Sequence, residues 1–288
     1  MKIAILGTEN SHAYAFANLV KKCAKYQDVE IVGVYGYDEN ANKKLVDDGL
    51  VSYVAKDPHE FLGKVDGIMV TARHGDHHHE YALPYVKAGI PAFIDKPFTV
   101  DLTKADELIA AAKESGALLC GGSSLKFTEE FKPLSRFAKA HQIVGGCVTA
   151  PINMVNDYGN FYFYSQHLVE SMFAVFGTDV KSVYASCPDL EKNRISVIFN
   201  YGDFDVVGQF YSSYDYTVSV YSNRGGVMNA TAASANAQKW YECELDEFLD
   251  MVAQKKMPHD YEELLKPVKL LHAIEESYTQ KKEVEVVW

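Results

Sequence analysis

What this chain has little of narrows its class before any motif is read. Cysteine is scarce: five in 288 residues, at positions 23, 120, 147, 187 and 243, an odd number with no CxxC pair. That pattern suits free thiols in a reducing compartment rather than a disulfide framework. Positive charge is in deficit, with 28 Lys and Arg against 39 Asp and Glu and a formal net charge of −11. Nucleic-acid-binding faces are usually basic, so no nucleic-acid partner is expected. The N-terminus shows no basic segment followed by a long apolar core, and no apolar run is long enough to span a bilayer. Repeats and low-complexity linkers are absent. The expectation is a cytoplasmic protein without a membrane partner. Hydrophobic residues make up 48% of the chain, ample for two packed domains at this length.

Up to about residue 122, strands and helices alternate. Strands are predicted at Ile3–Leu6, Val29–Tyr35, Ser52–Val54, Gly67–Val70, Ile90–Ile94 and Ala117–Cys120. Between them, helices are expected from Ser11, read as an N-cap, to about Lys25, then near Asn40–Asp48, near His78–Ala88, and from about Thr103 to Ser115 with Gly116 as cap. Strands alternating with helices imply right-handed βαβ units in a doubly wound parallel sheet, a Rossmann arrangement over residues 1–122. After Gly121-Gly122 the pattern changes. Helices near Thr128–Ala140 and Tyr164–Phe176 flank a strand around Gly145–Ala150. Strands then follow in succession at Val180–Ser186, Arg194–Asn200, Phe204–Tyr211, Thr217–Ser222 and Gly226–Ala230. Helices near Leu245–Gln254 and Tyr261–Gln280 and a strand at Val284–Val287 close the chain. Residues 123–288 therefore read as a second, α+β domain: an open, mostly antiparallel sheet with helices on one face.

The segment Gly89-Ile-Pro-Ala-Phe-Ile-Asp-Lys-Pro97 is the most informative stretch. Its apolar run reads as a short buried strand, and ligands of open α/β sheets bind beyond the carboxyl ends of the strands. Pro97 lacks a backbone donor and biases Lys96 towards an extended or turn geometry at that edge. Gly7-Thr8-Glu9-Asn10-Ser11-His12 follows the first strand, where a dinucleotide fingerprint carries glycine at its first, third and sixth positions. Only Gly7 is kept; Glu9 and His12 occupy the other two. Helix N-termini still favour anions, and a cationic His12 would assist. The end of the second strand, where an acid bonds the ribose, has Gly36, with Asp38 two residues later. Asp38 reads equally as a helix start.

Arg73-His74-Gly75-Asp76-His77-His78-His79-Glu80 is a dense polar cluster past the fourth strand. Imidazoles with carboxylates suit a metal, although adjacent histidines on a helix point different ways, so a loop at the mouth of a cofactor cleft is the preferred reading. His167 sits at the edge of an apolar helical stripe of Leu168, Met172 and Val175. A lone histidine so placed is commonly a satisfied core residue; its pKa also makes it a usable acid or base. Tyr214 through Val220 alternate as one face of a half-buried strand or as a subunit interface.

Asp66-Gly67-Ile68-Met69-Val70, His78 with Glu80, Ala88-Gly89 running into Asp95-Lys96-Pro97, Ser124-Leu-Lys-Phe127, and His167 with Glu170 and Gly177 form an ordered series. Together they resemble the glucose–fructose oxidoreductase / inositol dehydrogenase / rhizopine-catabolism (Gfo/Idh/MocA) family over essentially the whole chain. The resemblance implies NAD(P)-dependent oxidation or reduction of a sugar or cyclic polyol, and homodimers or homotetramers packed through the C-terminal sheet. It implies cofactor contacts, with NAD or NADP, at Gly7, Thr8, Asn10, Ser11, His12, Asp38, Thr71, His78, Lys96 and Pro97. It also implies that Lys96 and His167 flank the substrate. The family's aspartate, four residues before the histidine, is Phe163 here, which leaves neighbouring Tyr164 as its substitute even though a phenol titrates far above neutrality. The same departures suit a non-catalytic family member that binds a sugar or nucleotide; a metal-dependent enzyme using His74–His79 is a third reading.

Overall fold

The computed structural model describes residues 1–212 and 214–288. The chain divides into two units: Met1–Gly122 with Tyr241–Leu265, and Ser123–Trp240 with Lys266–Trp288.

The first unit is built on β1 (Lys2–Leu6), β2 (Glu30–Tyr35), β3 (Gly67–Val70), β4 (Ala92–Asp95) and β5 (Leu119–Gly122). All pairs are parallel, in the order β2-β1-β3-β4-β5. The connecting helices are α1 (Ser11–Lys22), α2 (Glu39–Asp47), α3 (Gly75–Lys87) and α4 (Leu102–Ser115). The chain steps outward from β1 to β2, then crosses back to β3 on β1's other side. The reversal opens a crevice at the carboxyl ends of β1 and β3. β4 begins at Ala92, not Ile90, because Pro91 has no N–H to give the ladder; its carbonyl accepts from Ile68 at 2.9 Å.

Two local expectations change. The strand expected at Ser52–Val54 is a single parallel bridge between Val54 and Val34. Leu50 and Val51 on one side are buried in the core, and on the other Glu60 accepts from the Lys56 and Asp57 amides, leaving room for one bridge only. The cap of α1 is Asn10 rather than Ser11: its Oδ1 accepts from the His12 N–H, and Ser11 is the first helical residue.

The core of this unit gathers Ile3, Ile5, Phe16, Val34, Met69 and Phe93. Leu245, Phe248 and Met251 of α7 (Ala237–Gln254) complete it. Burying each such side chain contributes about 2 kcal/mol. This packing joins Tyr241–Leu265 to the first unit, although the sequence places the stretch within residues 123–288.

The second unit carries a seven-stranded sheet: β6 (Ile143–Pro151), β7 (Ser182–Ser186), β8 (Ile195–Asn200), β9 (Asp205–Tyr211), β10 (Asp215–Ser222), β11 (Gly226–Ala233) and β12 (Val284–Glu285). The order is β11-β10-β6-β9-β8-β7-β12. Every pair is antiparallel except β6 with β9. Alternation sets the faces: Tyr216, Val218 and Val220 of β10 point inward. The unit also holds α5 (Lys132–Ala140), α6 (Tyr162–Phe176) and most of α8 (Tyr261–Gln280). α5 starts later than the predicted Thr128. Two short 3-10 turns, Ser124–Phe127 and Glu129–Phe131, precede it, and Pro133 lies in its first turn, where the missing N–H costs no helical bond. Among the described residues, no helix is long and apolar enough to cross a membrane.

Candidate active site

At the carboxyl end of β4, Asp95 and Lys96 are both buried, Lys96 to 4% exposure. Asp95 is wrapped in donors. His12 Nδ1 lies 2.6 Å from its Oδ2, the Asn10 side-chain amide donates to Oδ2 at 3.1 Å, and the Lys96 backbone N–H donates to Oδ1 at 2.7 Å. Burial by itself would raise the Asp95 carboxyl. The charge and hydrogen bond of His12, followed by the charges of Lys96 and His78, outweigh it and hold the group well below the usual carboxylate range. Burial presses the Lys96 ammonium below its ordinary value, with Arg73 adding to the push, while the carboxylates of Asp95 and Glu244 pull it back up.

Glu244 is absent from the candidates read from the sequence. It is a buried acid on α7, one helical turn from Tyr241 and Phe248 and beside Leu245. A carboxylate on the apolar face of a helix is the signal that identifies it.

His78, expected at the cofactor, is fully buried. Its Nδ1 faces the Pro97 carbonyl at 2.7 Å and its Nε2 the Ala72 carbonyl at 2.8 Å. Desolvation lowers its pKa against the pull of Asp95 and of those two carbonyls. Thr71 is likewise fully buried and donates to the Gly7 carbonyl at 2.8 Å. Both side chains are hydrogen-bonded to backbone carbonyls of the turns that follow β1, β3 and β4. The Lys96–Pro97 peptide is cis.

The β1–α1 turn depends on glycine at two places. Gly7 has φ +98°, and a Cβ there would lie 2.2 Å from the Ala72 nitrogen. A Cβ on Gly36, at the end of β2, would lie 1.9 Å from Thr8 Oγ1. Thr8 fills the space that a side chain at position 36 would need. The Thr8 hydroxyl donates to Asn42 Oδ1 at 2.5 Å, and the Asn42 amide donates to the Gly36 carbonyl at 2.8 Å. Asp38 caps α2, with Oδ1 accepting from the Asn40 and Ala41 amides. Ser11 is exposed at the start of α1.

Glu9 reaches from this turn towards the one after β3. Its Oε1 accepts from the Arg73 N–H at 3.1 Å, and its Oε2 is buried with no hydrogen-bond partner among the described residues. Burial raises its carboxyl above the ordinary range, against the backbone N–H groups of Glu9 and Arg73 and the charges of His77 and Arg73.

The remaining histidines of the cluster disperse. His74 caps α3, His77 stacks on Tyr81 and meets Glu80, and His79 pairs with Glu107 at 2.8 Å. Among the described residues no group of three or more potential ligands converges on a metal position.

In the second unit, α6 carries His167, Tyr164 and Phe163. His167 is buried, with Nδ1 2.6 Å from Ser123 Oγ, and its ring lies near Tyr164 and Tyr216. Glu170, one turn on, accepts from the Ser123 N–H at 2.8 Å and from the Gln166 amide. Phe163 is buried against Tyr158 and Tyr164.

A family model described as an oxidoreductase family with an NAD-binding Rossmann fold, Gfo/Idh/MocA, matches residues 1–123. Residues 1–123, the parallel-sheet part of the first unit, are similar to this family. That description gives NAD as the cofactor class and oxidoreductase as the activity class of the proteins these residues resemble. No curated protein sequence matches. Solved structures share the fold over the whole chain. The myo-inositol 2-dehydrogenase of Lactobacillus plantarum superposes with TM-score 0.86 at 15% identity, covering 100% of this chain and 99% of that one. The myo-inositol dehydrogenase of Lactobacillus casei, solved with NAD(H) and myo-inositol, gives TM-score 0.85 at 14% identity, with 100% and 97% coverage. The scyllo-inositol dehydrogenase of the same organism, with NAD(H) and scyllo-inositol, gives 0.82 at 14%, with 99% of each chain covered. NAD fits the first unit on three observations: the Gly7 turn, the start of an α1 whose first turn holds no acid, and the buried Oε2 of Glu9, without a hydrogen-bond partner among the described residues.

Proposed function

We propose that the protein moves a hydride between NAD and the hydroxyl-bearing carbon of a sugar or cyclic polyol, with Lys96 exchanging the hydroxyl proton. The observation that carries this is Lys96 itself: an almost fully buried lysine at the carboxyl end of β4, in the field of the Asp95 and Glu244 carboxylates. Bound NAD supplies the hydride acceptor. As the carbinol C–H leaves with its electron pair, the O–H proton passes to the Lys96 amine, and the reverse reaction returns it. Burial of the ammonium favours the neutral amine that a base requires, while the two carboxylates keep the lysine in place. His167 is the second proton-exchanging candidate, oriented by Ser123 at Nδ1, and the Tyr164 hydroxyl is a hydrogen-bonding partner for a polyol. Inositols held by fold neighbours support the substrate class.

NAD rather than NADP is supported by the end of β2. Gly36, Tyr37 and Asp38 offer no cation for a 2′-phosphate, and Lys43 and Lys44 pair with Asp47 and Asp48. A second copy of the chain is the proposed partner of the second sheet, whose outer face carries Tyr184, Ile198 and Val207 in register and exposed.

Phe163 favours one other reading, a family member that binds without turnover. Two measurements decide. Nicotinamide fluorescence should show NADH binding at micromolar protein. With an inositol or sugar that turns over, Lys96→Ala should reduce kcat about 10²- to 10⁴-fold. Unchanged turnover in that variant removes Lys96 from the chemistry, and NADH binding with no turnover across polyols selects the second reading.

A further inference from the structure

Glu9 occupies the fingerprint position at which a second glycine lets the backbone approach the pyrophosphate. A fixed anion there would repel the phosphates. The structure instead leaves Glu9 half satisfied. Oε1 is anchored on the Arg73 N–H, across the crevice between the ends of β1 and β3, while Oε2 is buried and unpartnered among the described residues. An ionised carboxylate in that state has lost water at one oxygen with no hydrogen bond in return, and the backbone N–H groups and nearby charges of Arg73 and His77 do not make up for it. The same group protonated at Oε2 presents an O–H donor and keeps Oε1 as acceptor. The titratable and charged groups acting on it are Arg73 from the turn after β3, and His77 and Tyr81 from α3. The first turn of α1 contributes no acid.

We propose that Glu9 recognises the pyrophosphate of the dinucleotide as a neutral carboxylic acid, its Oε2 hydroxyl donating to a phosphate oxygen while Oε1 keeps the Arg73 N–H. The proposal rests on the reading that NAD binds the first unit. Above the carboxyl's titration, binding then takes one proton from solvent, and no carbon, nitrogen or phosphorus bond changes. Affinity is greatest in mild acid and falls as pH rises, because ionised Glu9 must be reprotonated before a phosphate can be accepted.

The test uses the full chain with NADH, and with ADP-ribose as a probe lacking the nicotinamide. Dissociation constants are measured from about pH 5.5 to about pH 8.5, and calorimetry in two buffers of different ionisation enthalpy counts protons. The wild type should lose up to ~10-fold in affinity per pH unit above the carboxyl's titration and take up close to one proton. Glu9→Gln, which donates without titrating, should flatten that slope, abolish the uptake and bind more tightly than the wild type at the alkaline end. Glu9→Ala should be equally flat but weaker than Glu9→Gln. A flat wild-type profile, or a Glu9→Gln profile as steep as the wild type's, overturns the role of Glu9. Equal affinities for the Ala and Gln variants overturn donation. Absence of NADH binding to all three proteins at every pH overturns the NAD reading and this proposal with it.

Discussion

Asp95 and Glu9 are carboxylates withdrawn from water at the same edge of one parallel sheet, and their surroundings push them in opposite directions. Asp95 is fully buried yet held ionised, with His12, Asn10 and the Lys96 amide around it. Glu9 is less deeply placed and is raised, because burial outweighs the backbone N–H groups of Glu9 and Arg73 and the charges of His77 and Arg73, and its Oε2 has no hydrogen-bond partner among the described residues. Depth alone does not decide the charge of a buried acid; the donors aimed at it do. One edge of the sheet therefore offers a fixed anion beside a lysine at the end of β4 and, in the turn after β1, an acid that ionises reluctantly.

Removing the donor that most distinguishes the two should have the largest effect. His12→Ala leaves Asp95 without its closest partner, and urea denaturation should show a loss of about 3 kcal/mol. Asp95's folded pKa lies below its unfolded value near 3.9, so its contribution is present above about pH 4 and disappears as pH falls through the folded value. The deficit of His12→Ala should shrink in the same acid window; a deficit that persists unchanged there would indicate lost packing against Tyr241 instead. Asn10→Ala removes one donor to Asp95 and the cap of α1, with an expected loss of about 1 kcal/mol by the same measurement. The smallest effect has the opposite sign. The raised carboxyl of Glu9 favours the fold below its unfolded pKa near 4.3 and opposes it once pH passes the folded value. Glu9→Gln should therefore melt about 2 °C above the wild type at roughly pH 8 and match it at roughly pH 4. A gain independent of pH would show that Glu9 is not a buried ionising group.

The sequence anticipates β3 at Gly67–Val70 and the end of α4 at Gly116 because the signals are local: a bounded apolar run, and a glycine that accepts φ +75°. It also places Lys96 at a strand's carboxyl end, for the same reason. What escapes it depends on partners far along the chain. The helical spacing of Leu245, Phe248 and Met251 shows that a face is buried without showing that it meets Phe16 and Phe93. Gly36 reads as a lost acid until Thr8 is seen to fill its side-chain space. Glu9 reads as a carboxylate opposed to phosphate, and only the Arg73 amide, 64 residues away, shows which oxygen is anchored and which is left. Glu244 was legible as an acid on an apolar helical face, but its closeness to Lys96 was not.

The return of Tyr241–Leu265 to the first unit bears on how the chain is made. When β5 leaves the ribosome, every strand of the parallel sheet exists, yet the layer that covers Phe16, Phe93 and their neighbours is still untranslated. A nascent chain at that stage is a sheet with its lining exposed, a surface for chaperones rather than a finished domain. A fragment ending at Gly122 repeats that state permanently, so transplanting this module into another protein requires carrying over the later segment as well.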